Sequence, residues 1–168
     1  VFATSNEVFA LDASAGLRSW SYGEPPKHLE RPDADWEDEP AYRAFAVRGD
    51  RVVAARSDGH PTCGAIDSGR ESWSRAHRPI PTGSIHLSDA WVVYAVVQDG
   101  RVTLNLIDAS NGSWVDTIAT NERRSAEDVF VTLDGQIILV TSQSIASYDP
   151  ESRQRRWRVS PGGHILPT

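Results

Sequence analysis

One segment of the sequence concentrates side chains that could bind a metal ion or a protein partner. Residues 23–40 include five carboxylates within seven positions around one tryptophan: Asp33, Asp35, Trp36, Glu37, Asp38 and Glu39. Carboxylate oxygens are calcium ligands, and an aromatic side chain among acidic groups can anchor a partner. A calcium loop starting at Asp33 needs glycine at its sixth position and glutamate at its twelfth, where Asp38 and Ala44 stand. We therefore predict no metal site and favour a solvated connecting loop, with partner binding as the functional alternative.

Cys63 and the histidines do not form a recognisable catalytic or metal-binding motif. Cys63 is the only cysteine, and His60, three residues away, would face the opposite side of a strand. The histidines lack helical metal-binding spacing: His28, His60, His77, His86 and His164. The Gly-x-Ser-x-Gly, phosphate-loop and dinucleotide-binding patterns are also absent. We predict no catalytic residue and interpret Cys63 as a buried structural thiol.

Four arginines surround Trp157 and could contact an acidic partner or a phosphate: Arg153, Arg155, Arg156 and Arg158. Alternate residues of a strand face opposite sides, so Arg156 and Arg158 would point away from the face of Trp157. We favour a solvated outer strand.

The composition is that of a chain able to bury a core. It has 168 residues, of which 39% are hydrophobic and 24% charged. No run approaches the roughly 20 apolar residues of a membrane span. The formal net charge of -6 argues against nucleic acid as a partner. The chain lacks methionine and starts at Val1, which we interpret as the sign of a fragment or a processed product.

A repeated pattern organises the elements that would position these side chains. Four segments contain, in order, an apolar residue, an aspartate, a turn and a tryptophan or its substitute. The positions that carry the pattern are Asp12, Gly16, Trp20, Asp67, Gly69, Trp73, Asp108, Gly112, Asp149 and Trp157. The last three aspartates are 41 residues apart, and the first interval is 14 residues longer. Residues 23–40 account for that excess as an inserted, acidic and proline-containing loop.

Short apolar runs between these markers predict strands. Residues 52–55, 91–97 and 137–140 are rich in β-branched and aromatic side chains, and Asp-Gly pairs at 58–59 and 99–100 predict hairpins. Only residues 122–128 could form one or two helical turns. Four antiparallel strands per repeat predict an all-β protein made of β-propeller blades. The blades would cover about 1–22, 41–76, 83–120 and 126–160, with 163–168 as a closing strand or the first strand of a next blade.

The repeat resembles the PQQ-like repeat, which is the tryptophan-docking blade of quinoprotein-type propellers, with the pattern Ala-x-Asp-x-x-x-Gly-x-x-x-Trp. Residues 10–20 match all four specified positions. The second copy keeps Asp67 with two residues missing from its turn. The third copy has Asp116 in the tryptophan position, with Trp114 two residues early, and the fourth has Arg153 in the glycine position. No Trp-Asp dipeptide occurs, so we rank the WD-type blade lower.

This resemblance implies a ring of seven or eight blades, so we expect the four blades to be part of a larger ring. A closed four-bladed ring and a head-to-tail pair of chains are the alternatives. The resemblance also raises PQQ with calcium as a cofactor. We disfavour it, because the vicinal disulfide common in those enzymes needs two cysteines. In addition, no acidic residue matches their catalytic base by local motif.

Relatives of this blade type include outer-membrane assembly lipoproteins and extracytoplasmic domains of kinases. The resemblance therefore implies a non-catalytic interaction, sensor or scaffold domain that binds a protein or peptide in the periplasm or at the cell surface. A quinoprotein-type oxidoreductase and a carbohydrate-binding propeller are the alternatives for the function, and the cytoplasm is the alternative for the location.

Overall fold

The computed structural model describes residues 1–3, 7–12, 14–22, 42–56, 60–76, 84–123, 126–160 and 166–167, and their strands form four antiparallel sheets. Sheet 1 contains β1 (Phe2–Ala3), β2 (Val8–Leu11) and β3 (Arg18–Tyr22). Sheet 2 contains β4 (Tyr42–Arg48), β5 (Arg51–Arg56), β6 (Pro61–Ala65) and β7 (Glu71–Ser74). Sheet 3 contains β8 (Ile85–Leu87), β9 (Trp91–Gln98), β10 (Arg101–Asp108) and β11 (Trp114–Arg123). Sheet 4 contains β12 (Ala126–Val131), β13 (Ile137–Thr141), β14 (Ile145–Tyr148), β15 (Arg155–Val159) and β16 (Leu166–Pro167). These ranges contain no helix, and therefore none long and apolar enough to cross a membrane.

The strands of each sheet follow one another in chain order, and the all-β prediction is confirmed. Two local predictions were wrong. The helical turns proposed for 122–128 do not form, because β11 continues to Arg123 and β12 begins at Ala126. Residues 166–167 neither complete sheet 1 nor start a new sheet. They pair with β15, with Pro167 opposite Trp157, because that outer edge offers unpaired backbone groups.

Within the described ranges, the core consists of three apolar clusters, one at each junction between consecutive sheets. Strand β9 shows how a single strand serves two of them. Val93 and Ala95 pack toward sheet 4, whereas Val92 and Tyr94 pack toward sheet 2. Both faces of the strand are therefore buried, which explains why its sequence is continuously apolar and does not alternate with polar residues.

Each sheet carries the same tight turn, which joins β2 to β3, β6 to β7, β10 to β11 and β14 to β15. In sheet 1 the Gly16 N–H donates to the Asp12 carbonyl at 2.8 Å, and the Asp12 N–H donates to the Leu17 carbonyl at 2.8 Å. The same two bonds recur in the other three sheets. The residue in the Gly16 position has positive φ in every sheet, which favours glycine. This position is called the turn position below.

The aspartates before the turns accept hydrogen bonds from them. Asp12 accepts from the Ser14 and Ala15 N–H groups at 2.8 Å. Asp108 and Asp149 accept in the same way from residues 110 and 151–152. In sheet 2 the turn bonds start at Ala65, so Ala65 occupies the aspartate position and Asp67 lies exposed two residues later. The turn of sheet 2 therefore has the same length as the others. The two-residue deletion inferred from the sequence was wrong, because Asp67 was aligned with the other aspartates, whereas Gly69 matches the other turn glycines and puts Ala65 in the aspartate position.

Tryptophans of the outer strands join one sheet to the turn of the next. The Trp20 Nε1–H of sheet 1 donates to the Ile66 carbonyl of sheet 2 at 2.6 Å, and the Trp73 Nε1–H of sheet 2 donates to the Ala109 carbonyl of sheet 3 at 3.1 Å. The two side chains are 8% and 5% exposed. Each indole lies so close to the next turn position that a β-carbon there would be 2.5–2.8 Å from the tryptophan. We call this arrangement the tryptophan dock.

The dock predicts that two glycines of similar backbone geometry differ in their sensitivity to alanine. Gly69→Ala should be destabilising through its left-handed backbone, about 1–2 kcal/mol, and through the clash with Trp20, about 1–3 kcal/mol more. Gly49 also has positive φ but nothing within 4 Å, so Gly49→Ala should show the backbone cost alone. Urea denaturation of both variants measures the difference. Equal losses of stability would contradict the packing of Trp20 on Gly69.

Candidate functional site

The junction between sheets 3 and 4 lacks the tryptophan dock. In sheets 1, 2 and 4, the tryptophan of the outer strand pairs with the residue two positions before the aspartate position. In sheet 3 that residue is Leu106, and it pairs with Asp116. In sheet 4 the turn position is Arg153, with φ of 60°. Asp116 and Arg153 form an ion pair across the junction. Both partners of the dock have therefore been replaced together, an indole by a carboxylate and a glycine by an arginine.

A polar cleft of about 210 Å³ opens beside this ion pair. Its lining residues come from β11, β14, β15 and the sheet 4 turn: Ala119, Asn121, Tyr148, Arg153, Gln154 and Arg155. The side chains contribute two guanidinium groups, two amides and a phenol, and no carboxylate. The lining is therefore rich in hydrogen-bond donors and positive in charge, which suits a ligand carrying carboxylate groups.

Tyr148 forms the buried end of the cleft. Its side chain is 2% exposed, and its hydroxyl oxygen is buried. Burial raises the pKa of Tyr148 to about 12, assisted by the nearby Glu122 charge and opposed by Arg155 and the Thr120 hydroxyl. The hydroxyl thus keeps its proton at neutral pH.

A buried ion pair lies near Tyr148. The Glu122 carboxylate accepts from Arg158 Nε at 2.8 Å and from Ser144 Oγ at 2.6 Å, and its side chain is 4% exposed. Burial raises the pKa of Glu122, but the bonds from Arg158 and Ser144 outweigh burial, so the pKa lies below its ordinary value. Glu122 is the penultimate residue of β11 in sheet 3, whereas Arg158 belongs to β15 and Ser144 to the β13–β14 turn of sheet 4, so these bonds join the two sheets where the dock is missing.

Sequence reasoning missed this pair. It took Glu122 as part of a helical turn and Arg158 as a solvated residue of the outer strand. Arg156 does lie on the surface, bonded to Asp149, but Arg158 is only 28% exposed and reaches a buried partner. The available signal was the period of two along β11, in which Ile118, Thr120 and Glu122 are all buried. That alternation extends the strand to Glu122 and places the carboxylate in the interior.

The remaining predicted sites are not assembled into a second site within the described ranges. The acidic loop, Asp33, Asp35, Trp36, Glu37, Asp38 and Glu39, lies outside them, as do His28, His77 and His164. Cys63 is fully buried in sheet 2, and burial raises the pKa of its thiol, so it is unreactive. The described residues contain no group of three or more histidine, cysteine, aspartate or glutamate side chains that could hold a metal ion.

Antiparallel sheets that stack face to face and dock a tryptophan on the next turn define the β-propeller class. A family model described as outer membrane protein assembly factor BamB matches residues 1–166. The chain therefore belongs to this family, and the resemblance to PQQ-like propeller repeats drawn from its sequence is confirmed.

Two solved structures share the fold. The crystal structure of BamB from Moraxella catarrhalis superposes with a TM-score of 0.69 at 16% sequence identity, over 94% of this chain and 44% of that chain. The computationally designed Ika8 protein superposes with a TM-score of 0.55 at 17% identity, over 71% of this chain and 36% of that chain. The chain thus spans less than half the length of either structure. No curated protein sequence matches it.

The buried Glu122 predicts a pH-dependent stability. Its pKa is lowered on folding, so its contribution is complete above the unfolded pKa of about 4.3 and is lost as the pH falls through the folded pKa. At pH 7, Glu122→Gln should cost about 2 kcal/mol, because Arg158 and Ser144 lose a charged partner. The cost should shrink at pH 3. Urea denaturation at both pH values measures it, with the exposed Glu71→Gln as the control. An equal cost at both pH values would contradict the buried ion pair.

Restoring the tryptophan dock between sheets 3 and 4, the third junction, should stabilise the protein only when Asp116 and Arg153 are both changed. Asp116→Trp alone places an indole against the Arg153 side chain and should be destabilising. Arg153→Gly alone relieves a left-handed arginine but removes an exposed ion pair, so its effect should be within about 1 kcal/mol. Together they allow the indole to lie on a glycine. A double-mutant cycle should give a favourable coupling free energy of at least about 1 kcal/mol between the two substitutions. Additive effects would contradict the idea that this junction can form the same tryptophan dock as the other two.

Proposed function

We propose that this chain is a non-catalytic propeller scaffold that binds a protein or peptide partner outside the cytoplasm, and that the cleft between sheets 3 and 4 receives acidic side chains of that partner. The observation that carries the proposal is the lining of the cleft, which is rich in donors and positively charged. Membership in a family described as an outer membrane protein assembly factor supports both the scaffold role and the extracytoplasmic location.

The lining of the cleft favours an acidic segment of a protein partner. The cleft lies between two sheets, with Ala119 and Asn121 contributed by sheet 3 and Gln154 and Arg155 by sheet 4. A carboxylate seated there can accept from the guanidinium of Arg155. Hydrogen bonds of this charge-assisted kind are about twice as strong as neutral ones.

A peptide-binding measurement tests the proposal. The probe is a fluorescein-labelled nine-residue peptide in which Asp alternates with Gly and Phe, and the reference peptide has Lys in place of each Asp. Fluorescence polarisation should detect binding of the acidic peptide alone, weakened by added salt. Arg155→Gln should weaken binding by about tenfold, equivalent to about 1.4 kcal/mol, because one charged donor is lost.

Arg70→Gln is the matched control, since Arg70 is an exposed arginine on the turn of sheet 2, away from the cleft. It should leave binding unchanged. Equal binding of the Asp and Lys peptides, or an unchanged affinity in Arg155→Gln, would exclude the cleft as the site. Circular dichroism of each variant separates loss of binding from loss of fold.

A further inference from the structure

Asp116 is a carboxylate of the chain itself that binds one of the two arginines lining the cleft. Arg153 lines the cleft, and its guanidinium forms an ion pair with Asp116 across the junction. Asp116 belongs to β11 of sheet 3, whereas Arg153 lies in the turn of sheet 4. A carboxylate is also the group that the proposed partner would present to the cleft. The chain and the proposed partner therefore offer the same chemical group to the same guanidinium.

The Asp116–Arg153 pair can open with little loss of stability. The Arg153 side chain is 58% and the Asp116 side chain 31% exposed, and exposed ion pairs contribute little because water and salt screen them. Asp116 also accepts from the Thr117 N–H at 2.7 Å, so its carboxylate keeps a donor when Arg153 turns away. The ion pair of Arg158 with Glu122 differs, since the Glu122 side chain is only 4% exposed. Of these two ion pairs between sheets 3 and 4, the one at the cleft is therefore the one that a ligand can exchange.

Arg153 is held at the cleft by its backbone. Its N–H donates to the Asp149 carbonyl at 2.8 Å, which is the bond that fixes the turn position in every sheet. Only the flexible side chain has to move for the guanidinium to reach a second carboxylate. The φ of 60° is unfavourable for a residue with a β-carbon, and glycine occupies this position in the other three sheets. An exposed ion pair alone does not account for an arginine in this conformation, whereas contact with a ligand does.

We propose that Asp116 is an internal competitor for the cleft, so that an acidic partner binds by taking Arg153 from it. The inference rests on the proposed function and names the residue that sets the affinity of that site. While Arg153 is paired with Asp116 it is not available to a ligand, and the apparent affinity is reduced by the fraction of molecules in which the pair is open. Neutral segments cannot displace a carboxylate, so the exchange also selects for acidic ones.

Fluorescence polarisation with the labelled peptide of alternating Asp, Gly and Phe tests this inference. Asp116→Asn keeps the size of the side chain and removes its charge, so it should release Arg153 and lower the dissociation constant about tenfold. Asp116→Ser removes the same charge and should give the same gain. Asp89→Asn is the matched control, because Asp89 forms an exposed ion pair with Arg48 and does not line the cleft. It changes the net charge equally and should alter the affinity by less than about twofold.

A double-mutant cycle shows whether Asp116 acts through Arg153. The gain from Asp116→Asn should vanish when Arg153→Gln is also present, because there is then no guanidinium to release. A gain that persists in the double variant, or an affinity that Asp116→Asn leaves unchanged or weakens, would overturn the inference and leave the peptide site intact. Absence of peptide binding from both the wild type and Asp116→Asn would reject the inference together with the proposed function.

Discussion

The docking of a tryptophan on the left-handed turn of the next sheet is the interaction on which the architecture depends. An indole offers a broad apolar face together with one N–H that must find an acceptor when buried. The turn supplies both requirements, because glycine leaves the backbone bare and the neighbouring carbonyl accepts the N–H. The contact therefore fixes both the spacing and the lateral position of two sheets. The apolar clusters between the sheets can then pack in a single register, since neither sheet is free to slide.

The junction between sheets 3 and 4 shows what happens when an ion pair takes the place of this interaction. The Asp116–Arg153 pair is substantially exposed, and pairs of that kind contribute only about 0–1 kcal/mol. It cannot replace a buried indole, so the junction depends on its apolar cluster and on Glu122, whose carboxylate reaches Arg158 and Ser144 of the next sheet. Replacing an indole by a carboxylate also puts polar groups at the junction, beside the cleft lined by Arg155 and Tyr148. The irregular junction therefore presents polar and cationic groups to a cleft.

The sequence was sufficient for the fold because repeats constrain one another. Residues 10–20 show the full pattern, and the glycine and tryptophan positions of the weaker copies follow from it. Glycine proved a better guide than aspartate: Ala65 takes the aspartate position in sheet 2, since the backbone bonds of the turn need no side-chain acceptor. The cleft could not be predicted. It arises from residues about 30 positions apart on two sheets, and the burial of Glu122 depends on partners that no local pattern reveals.

The two surfaces that the structure leaves available call for different partners. The cleft between sheets 3 and 4 is small and polar, and Arg153 and Arg155 line it, so binding there would be salt-dependent and readily reversed. The face that carries Trp157 and Phe130 is apolar, and covering it removes hydrocarbon from water irrespective of ionic strength. A partner that stays bound suits the apolar face, and a partner that binds reversibly suits the cleft. Because the two surfaces lie on opposite sides of sheet 4, occupying the face leaves the cleft open.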